Sequence, residues 1–423
     1  MSCRFRTLKL LNNSSIHHSF VEAVRAVRQD YRSSDDLLVL LDEFRKMVND
    51  CIRIGLAENV TSMRNLSLKA YHQLERYKVP THYRLTAISK AAGILRNYRK
   101  TLRKTPRTKT PYASKLMLTD CYSLKILNNQ LRLPLGDKRF IFIPLNNHTL
   151  AAISGYTVRS VSLTASTLSI AFSKETAEME IAGLIGIDRN LDNITTANSN
   201  HQIERYDLSQ ATKVKALYRE VKSHFTRNDI RIGQRIFAKY GRKQRNRVNQ
   251  VLHRTSKAIV QQAKSQHCGI VMENLKGIRK LYRRGNGQGN EYRSRLNSWS
   301  FYEFQRQVTY KARWEGIPVI FVHPSKTSSV CSICGSQITE CAERKVYCPK
   351  CDKLMDRDEN AALNIVRAGL RFGLKGEAFE AMKGNPEQVI HRADASQLTI
   401  SNKVEQNRNG VAKQGDDGGV GVV

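Results

Sequence analysis

The sequence predicts a multidomain α+β fold, and three observations carry that reading. Helical periodicities run from residue 17 to about 104, short alternating apolar segments follow from 121 to 180, and from 184 onward apolar strands alternate with amphipathic helices. At 423 residues the chain exceeds one ordinary domain.

Taken in order, RFRTLKLL (4–11) has the composition of a strand, and LLVLLDEFRKMVNDCI and LTAISKAAGILRNYRKTL read as long helices. Residues 96–109 hold seven basic side chains and no acid, a run closed by Pro106 and Pro111. YSLKIL, QLRLPL, RFIFIPL, GYTVRSVSLT and TLSIAFS, separated by turn residues, form an antiparallel β unit that the early strand joins. LIGID (184–188), NITTANSN and HQIERYDL are three successive strands, the first wholly apolar and so central. Residues 213–257 are helical, with fourteen basic residues against Glu220 and Asp229. GIVMENL (269–275), a helix through Trp299, Phe301, Phe304, Val308 and Ala312, and PVIFVHP (318–324) complete an α/β pattern. Beyond about Gly373 the periodicity is lost, and the end, GVAKQGDDGGVGVV, cannot bury a core, so the last stretch reads as largely disordered.

Lys and Arg number 70 against 37 acids, a net charge of +33 that exceeds what solubility needs and calls for a polyanion such as a phosphate backbone. The basic residues are spread along the chain, which disfavours a membrane surface, and no apolar run reaches the ~18 residues of a span. Two runs are the candidate nucleic-acid contacts: Arg242, Lys243, Arg245 and Arg247 in the first, Arg99, Lys100, Arg103 and Lys104 in the second. The bland alternative for each is a solvated helix face. The N-terminal apolar stretch is too short for a secretory signal. The expected location is intracellular: cytoplasmic and nucleoid-associated in a prokaryotic cell, nuclear in a eukaryotic host.

Three carboxylates sit at element edges. Asp188 closes LIGI, Glu273 follows GIVM, and Asp358 opens DENAALNIVRAGL. Any one alone reads as an acid paired with one of the many arginines; three together read as ligands of a divalent cation, because an uncompensated carboxylate at a core strand costs several kcal/mol. Oxygen donors select Mg²⁺ or Mn²⁺, and two ions ~3.5–4 Å apart suit phosphodiester hydrolysis. Asp358 is preferred to Asp356 because Ala361, Ala362 and Ile365 follow it at i+3, i+4 and i+7, the face that packs on a sheet; Asp356 reads as a cap or a solvated residue. Cys331, Cys334, Cys348 and Cys351, two Cys-x2-Cys knuckles with turns at Gly335 and Pro349, have the spacing of one structural Zn²⁺ site. Cys341 is outside that pattern, and Cys3, Cys51, Cys121 and Cys268 read as small core residues.

GIDRN (186–190), IVMENLKGIRK (270–280), HPSKTSSVCSICG (323–335) and DRDENAALNI (356–365) resemble, in order and spacing, the TnpB family, transposon-encoded nucleases related to type V CRISPR effectors. The resemblance is specific over about 181–370. It implies an RNase H-like (RuvC) α/β nuclease domain with an inserted zinc ribbon, preceded by a β-barrel-like wedge domain with an inserted helical recognition domain. The corresponding bounds are 1–16 for the first wedge strand, 17–110 for the recognition domain and 111–180 for the wedge. The nuclease domain would take 181–325 and 353–372, the ribbon 326–352 and the tail 373–423. It further implies an RNA-guided DNA endonuclease that uses a guide RNA from the element's own end and a target DNA, with Asp188, Glu273 and Asp358 as catalytic acids. Two competing readings are a non-cleaving RNA-guided DNA-binding protein or repressor, which the intact acids disfavour, and a transposase with a similar acidic triad, which the position of the cysteine ribbon disfavours.

Overall fold

The computed structural model describes residues 20–122, 125–225, 232–278, 287 and 289–373. The expected strand at 4–11, the 1–16 segment and the tail from 374 lie outside them. Two compact units are present, one of Glu22–Glu175 and one built chiefly from Thr176 onward.

In the first unit, β1 (Phe20–Asp30) corrects the helical reading of the residues from 17. Phe20, Ala23, Val24 and Val27 fit a helical spacing, yet Ala23, Val27 and Gln29 are buried while Val24 is 52% exposed. That period of two belongs to a strand. Helices begin at α1 (Asp35–Ala57), where the Ser34 hydroxyl accepts from the Leu37 amide at 3.3 Å, and continue with α2 (Met63–Ala70) and α3 (Thr81–Leu102). α1 lies along α3, with Leu37, Leu41, Phe44, Ala87, Ile88 and Ala91 fully buried. At Gly55 a Cβ would fall 2.3 Å from the Leu95 terminal methyl, so any larger residue there would have to displace that side chain.

The chain then forms β2 (Met117–Asp120), β3 (Lys125–Leu127), β4 (Gln130–Gly136), β5 (Arg139–Pro144), α4 (Asn147–Ile153), β6 (Thr157–Thr164) and β7 (Thr167–Ala177). β1, β7, β6 and β2 make one sheet in that order, and β3, β4 and β5 a second. The three helices thus enter the chain between the two outer strands of the first sheet. Cys51 is buried as expected, whereas Cys121, in the turn after β2, is exposed, a correction to its reading as a core residue.

The second unit is a mixed sheet with helices on both faces. Its elements are β8 (Gly183–Arg189), β9 (Asn193–Asn198), β10 (Ile203–Asp207), α5 (Ser209–Ser223), α6 (Ala238–Ser265), β11 (Cys268–Glu273), α7 (Asn290–Asn297), α8 (Phe301–Trp314) and β12 (Val319–Val322). A small antiparallel ribbon of β13 (Thr339–Glu340), β14 (Lys345–Cys348) and β15 (Lys353–Asp356) precedes α9 (Arg357–Gly373). The sheet order is β10-β9-β8-β11-β12, with β8, β9 and β10 antiparallel to one another in succession and β8, β11 and β12 parallel.

Strand alternation decides which way each side chain faces. Ile185 and Ile187 of β8 and Ile270 and Met272 of β11 join a core with Leu252, Ile259 and Val260 of α6 and Phe304 and Val308 of α8. Leu184 and Val271, one residue out of step, join Ile365 and Val366 of α9 on the opposite face. Asp188 and Glu273 share the parity of that second set.

Candidate active site and cysteine cluster

The parallel register pairs Ile187 with Met272, so Asp188 and Glu273 come next on adjacent strands, on the side that α9 covers. α9 approaches that side closely. A Cβ on Gly186 would sit 2.4 Å from the Ala362 carbonyl oxygen, and one on Gly369 would sit 2.6 Å from Val271. Ala361, Ala362, Ile365 and Val366 are buried at this contact, and Asp358, one turn earlier on the same face, is 5% exposed. Asp356 is engaged elsewhere. Its carboxylate accepts from the amides of Asp358 at 2.9 Å and Glu359 at 3.1 Å, capping α9, and pairs with Arg205 at 2.8 Å.

Each of the three acids is oriented by a neighbour. Asn190 Nδ2 donates to Asp188 at 2.7 Å, and Thr327 Oγ1 donates to Glu273 at 2.6 Å. Arg344, in the turn between β13 and β14, pairs with Asp358 through Nε and Nη2 and also reaches Asn190 Oδ1 at 3.2 Å. Burial, then the charges of Glu273 and Asp358, push the Asp188 carboxyl up to about 7, against the lowering effect of Asn190 and Arg189. Arg189 is itself buried, which lowers its pKa to about 10; it donates to the Glu273 carbonyl, and to Gln305 Oε1 at 2.9 Å. The donor set is all carboxylate oxygen and its members repel one another, the condition that a hard divalent cation relieves. The acids lie farther apart than the four cysteines: among the described residues, only Cys331, Cys334, Cys348 and Cys351 bring three or more candidate ligand atoms within 4.8 Å of one another.

In that cluster Cys331 and Cys351 sulfurs lie 3.9 Å apart, and those of Cys334 and Cys348 3.5 Å apart. Thiolates ~2.3 Å from a tetrahedral centre would be about 3.8 Å apart, so the geometry fits a zinc ion. Gly335 takes φ +78° at the first knuckle, where the Ile333 amide donates to Cys331 Sγ at 3.4 Å. Cys341 is exposed and outside the cluster. The ribbon is tied to α9 by two buried asparagines one turn apart. Asn360 exchanges hydrogen bonds with Val330 and Ser332, and Asn364 donates to Thr327 at 2.9 Å and Val330 at 2.7 Å. Asn364 thereby also fixes Thr327, which holds Glu273.

A family model described as the Cas12f1-like TNB domain matches residues 301–365. A TnpB-like protein of Methanocaldococcus jannaschii is 33% identical over 138 residues, covering 33% of this chain and 49% of the relative. A second TnpB-like protein of that archaeon is 22% identical over 326 residues, covering 74% of this chain and 73% of the relative. The CRISPR-associated endodeoxyribonuclease Cas12f1 of Sulfoacidibacillus thermotolerans is 34% identical over 116 residues, 27% of this chain and 25% of that protein. These matches support a TnpB-family protein. The chain spans about half the length of the first of these relatives and a quarter of the Cas12f1. A solved Cas12f1–sgRNA–target DNA complex shares the fold, with a TM-score of 0.55 at 14% identity over 79% of this chain and 83% of that one.

The two basic runs lie in different units. Arg242, Lys243, Arg245 and Arg247 are exposed on α6, whose opposite face buries Val248, Val251 and Leu252. Arg247 also lies over the Tyr218 ring at 5.8 Å. Lys100, Arg103 and Lys104 are exposed near the end of α3, whereas Arg99 is partly buried and donates to the Asn59 carbonyl at 2.9 Å, a structural engagement. No helix among the described residues is long and apolar enough to cross a membrane. Arg189, Asn190, Thr327, Arg344, Asn360 and Asn364 escaped sequence reasoning. Asn360 and Asn364 left one signal, polar residues one turn apart on an otherwise buried helix face.

Proposed function

We propose that this protein is an RNA-guided DNA endonuclease associated with an insertion sequence, which hydrolyses phosphodiester bonds with Mg²⁺ or Mn²⁺ at Asp188, Glu273 and Asp358. The observation that carries the reading is the convergence of these acids, from β8, β11 and the first turn of α9, on one edge of the sheet. In this reading the second unit is an RNase H-like (RuvC) domain interrupted by a zinc ribbon. The first unit contains the wedge and recognition elements that meet the guide RNA. One relative is an endodeoxyribonuclease, and the solved neighbour of like fold is a complex with guide RNA and target DNA; both support these partners.

Bound divalent ions supply charge stabilisation and a more acidic water in such sites. The chain's own residues do the rest. Asp188, Glu273 and Asp358 hold the cations, while Asn190 and Thr327 fix the rotamers of the first two. The Arg344 guanidinium brings positive charge to the place where the phosphate's negative charge grows. The cysteine cluster holds zinc as a structural tie, and through Asn360 and Asn364 it sets where α9 presents Asp358.

The test is to express the chain with the flanking DNA of its element, sequence the RNA that co-purifies, and assay plasmid cleavage against matched targets. Guide-dependent, Mg²⁺-dependent cutting that Asp188→Ala abolishes is expected. Guide-dependent target binding with no cutting under any divalent ion would replace this reading with the non-cleaving one.

A further inference from the structure

Between α5, α6, α7 and α8 lies a cavity of about 700 Å³, within the ~300–1,000 Å³ range of small-ligand sites. Lys215, Arg219 and Lys222 line it from one face of α5, at i, i+4 and i+7. Trp299, just before α8, and Tyr302, 65% exposed on its first turn, contribute two aromatic faces. The acid in the wall, Glu303, is already engaged by Arg306 at 2.7 and 2.9 Å and by Gln307 at 2.9 Å. What remains is a cationic concavity with aromatic walls.

Its position relative to the acids is fixed by hydrogen bonds. Trp299 Nε1 donates to the Asn190 carbonyl at 2.9 Å, and Asn190 Nδ2 donates to Asp188 at 2.7 Å. Lys215 Nζ donates to Ser300 Oγ at 2.5 Å and to the Ser298 carbonyl, pinning the segment that carries Trp299. A group seated in the cavity is therefore held against the residue that orients Asp188.

We propose that this cavity binds one nucleotide of a single-stranded DNA beside the scissile linkage, with its phosphate on Arg219 and Lys222 and its base against Tyr302 and Trp299. Cations that track a backbone, interleaved with aromatics on which any base stacks, are the chemistry of sequence-tolerant single-strand binding. The proposal takes from the nuclease reading the reason that a strand lies there; the binding chemistry stands on the cavity itself.

The experiment uses the full chain without added Mg²⁺ and a fluorescent ten-nucleotide oligothymidylate, read by anisotropy, with an abasic ten-mer and an oligouridylate as controls. Tyr302→Ala, and Arg219→Gln with Lys222→Gln, should each weaken oligothymidylate binding by about tenfold. The abasic strand, equal in charge, should bind comparably weakly. The chain has two tryptophans, and Trp314 is 5% exposed, so in Trp314→Phe the oligothymidylate should saturably quench the fluorescence of Trp299. If Trp314→Phe does not fold, the anisotropy of Tyr302→Ala decides alone. Equal binding of the abasic strand, or an unchanged affinity in Tyr302→Ala, overturns the site, and a preference for oligouridylate overturns its assignment to DNA. Expected binding in a protein that cuts nothing overturns the nuclease reading and supports the cavity. Guided cutting by a protein indifferent to Tyr302→Ala does the reverse.

Discussion

At the scale of single residues, the choice between Asp356 and Asp358 is the sharpest test. Asp358 faces the sheet and its neighbouring acids, whereas Asp356 caps α9, so Asp188→Ala, Glu273→Ala and Asp358→Ala should each abolish Mg²⁺-dependent cleavage with little loss of nucleic-acid binding. Asp356→Ala should cost about 1 kcal/mol of stability and leave cleavage measurable; a dead Asp356→Ala with an active Asp358→Ala would reverse the assignment. Asp188 carries a second prediction, on pH. Its folded pKa of about 7 lies above the unfolded value of ~3.9, so the protonated form is the one that suits the fold. Its contribution to stability is full below ~4 and is lost as pH rises through about 7, at ~1.4 kcal/mol per pH unit. Asp188→Asn should therefore gain stability over the metal-free parent at pH 8 and show much less gain at pH 5. Mg²⁺ should raise the parent's Tm more at pH 8. Denaturation curves that differ by the same amount at both pH values would refute this. The strand-terminal positions of Asp188 and Glu273 were legible because each follows an uninterrupted apolar run. Arg344 was not, because its partner Asp358 is reached through a hairpin turn in which Glu343 and Arg344 both take positive φ, and nothing in a chain of 70 basic residues distinguishes that one arginine.

At the scale of elements, α9 and the cysteine ribbon act as one piece. Asn360 and Asn364 clamp the first knuckle to α9 on one side, and Gly186 lets α9 sit against β8 on the other. Gly186→Ala should push the helix away, destabilise the second unit by roughly 1–3 kcal/mol as overpacking does, and lower cleavage by displacing Asp358. A variant of unchanged Tm and activity would show that the helix yields without consequence. Serine at Cys331, Cys334, Cys348 or Cys351 should reduce zinc content by elemental analysis and lower Tm, because metal binding and folding are coupled in such modules. Cys341→Ser should do neither, and a purified protein without stoichiometric zinc would remove the claim. The meander of β8, β9 and β10 was legible from its apolar first strand and the turn residues between strands. β1 was not, because Phe20, Ala23, Val24 and Val27 fit a helical spacing and only pairing in the sheet with β7 selects the strand. Local pattern leaves such a segment undecided and tertiary contact resolves it.

At the scale of the whole molecule, charge dominates. A surplus of 33 positive charges repels itself, and α6 shows how the fold stores it: Val248, Val251, Leu252, Ile259 and Val260 face the core, while Arg242, Lys243, Arg245 and Arg247 face outward. Among the described residues these four form no ion pair with an acid. If α6 is a phosphate-facing surface, each contact with duplex releases condensed counterions, and the logarithm of the affinity falls with the logarithm of salt by ~0.9 per contact. Neutralising all four to Gln should then shallow that slope by as much as about 3.6 and weaken guide or target binding broadly. If the protein is a guided nuclease as proposed, target choice should not move, because in such enzymes base pairing with the guide carries sequence while the protein reads backbone and shape. The α3 residues Lys100, Arg103 and Lys104 belong to the other unit, so their neutralisation should add to the effect instead of substituting for it. Binding isotherms of the four-residue variant at several salt concentrations decide the matter: an unchanged slope would make the α6 charges a solvated face, and a changed target preference would mean that this helix reads sequence.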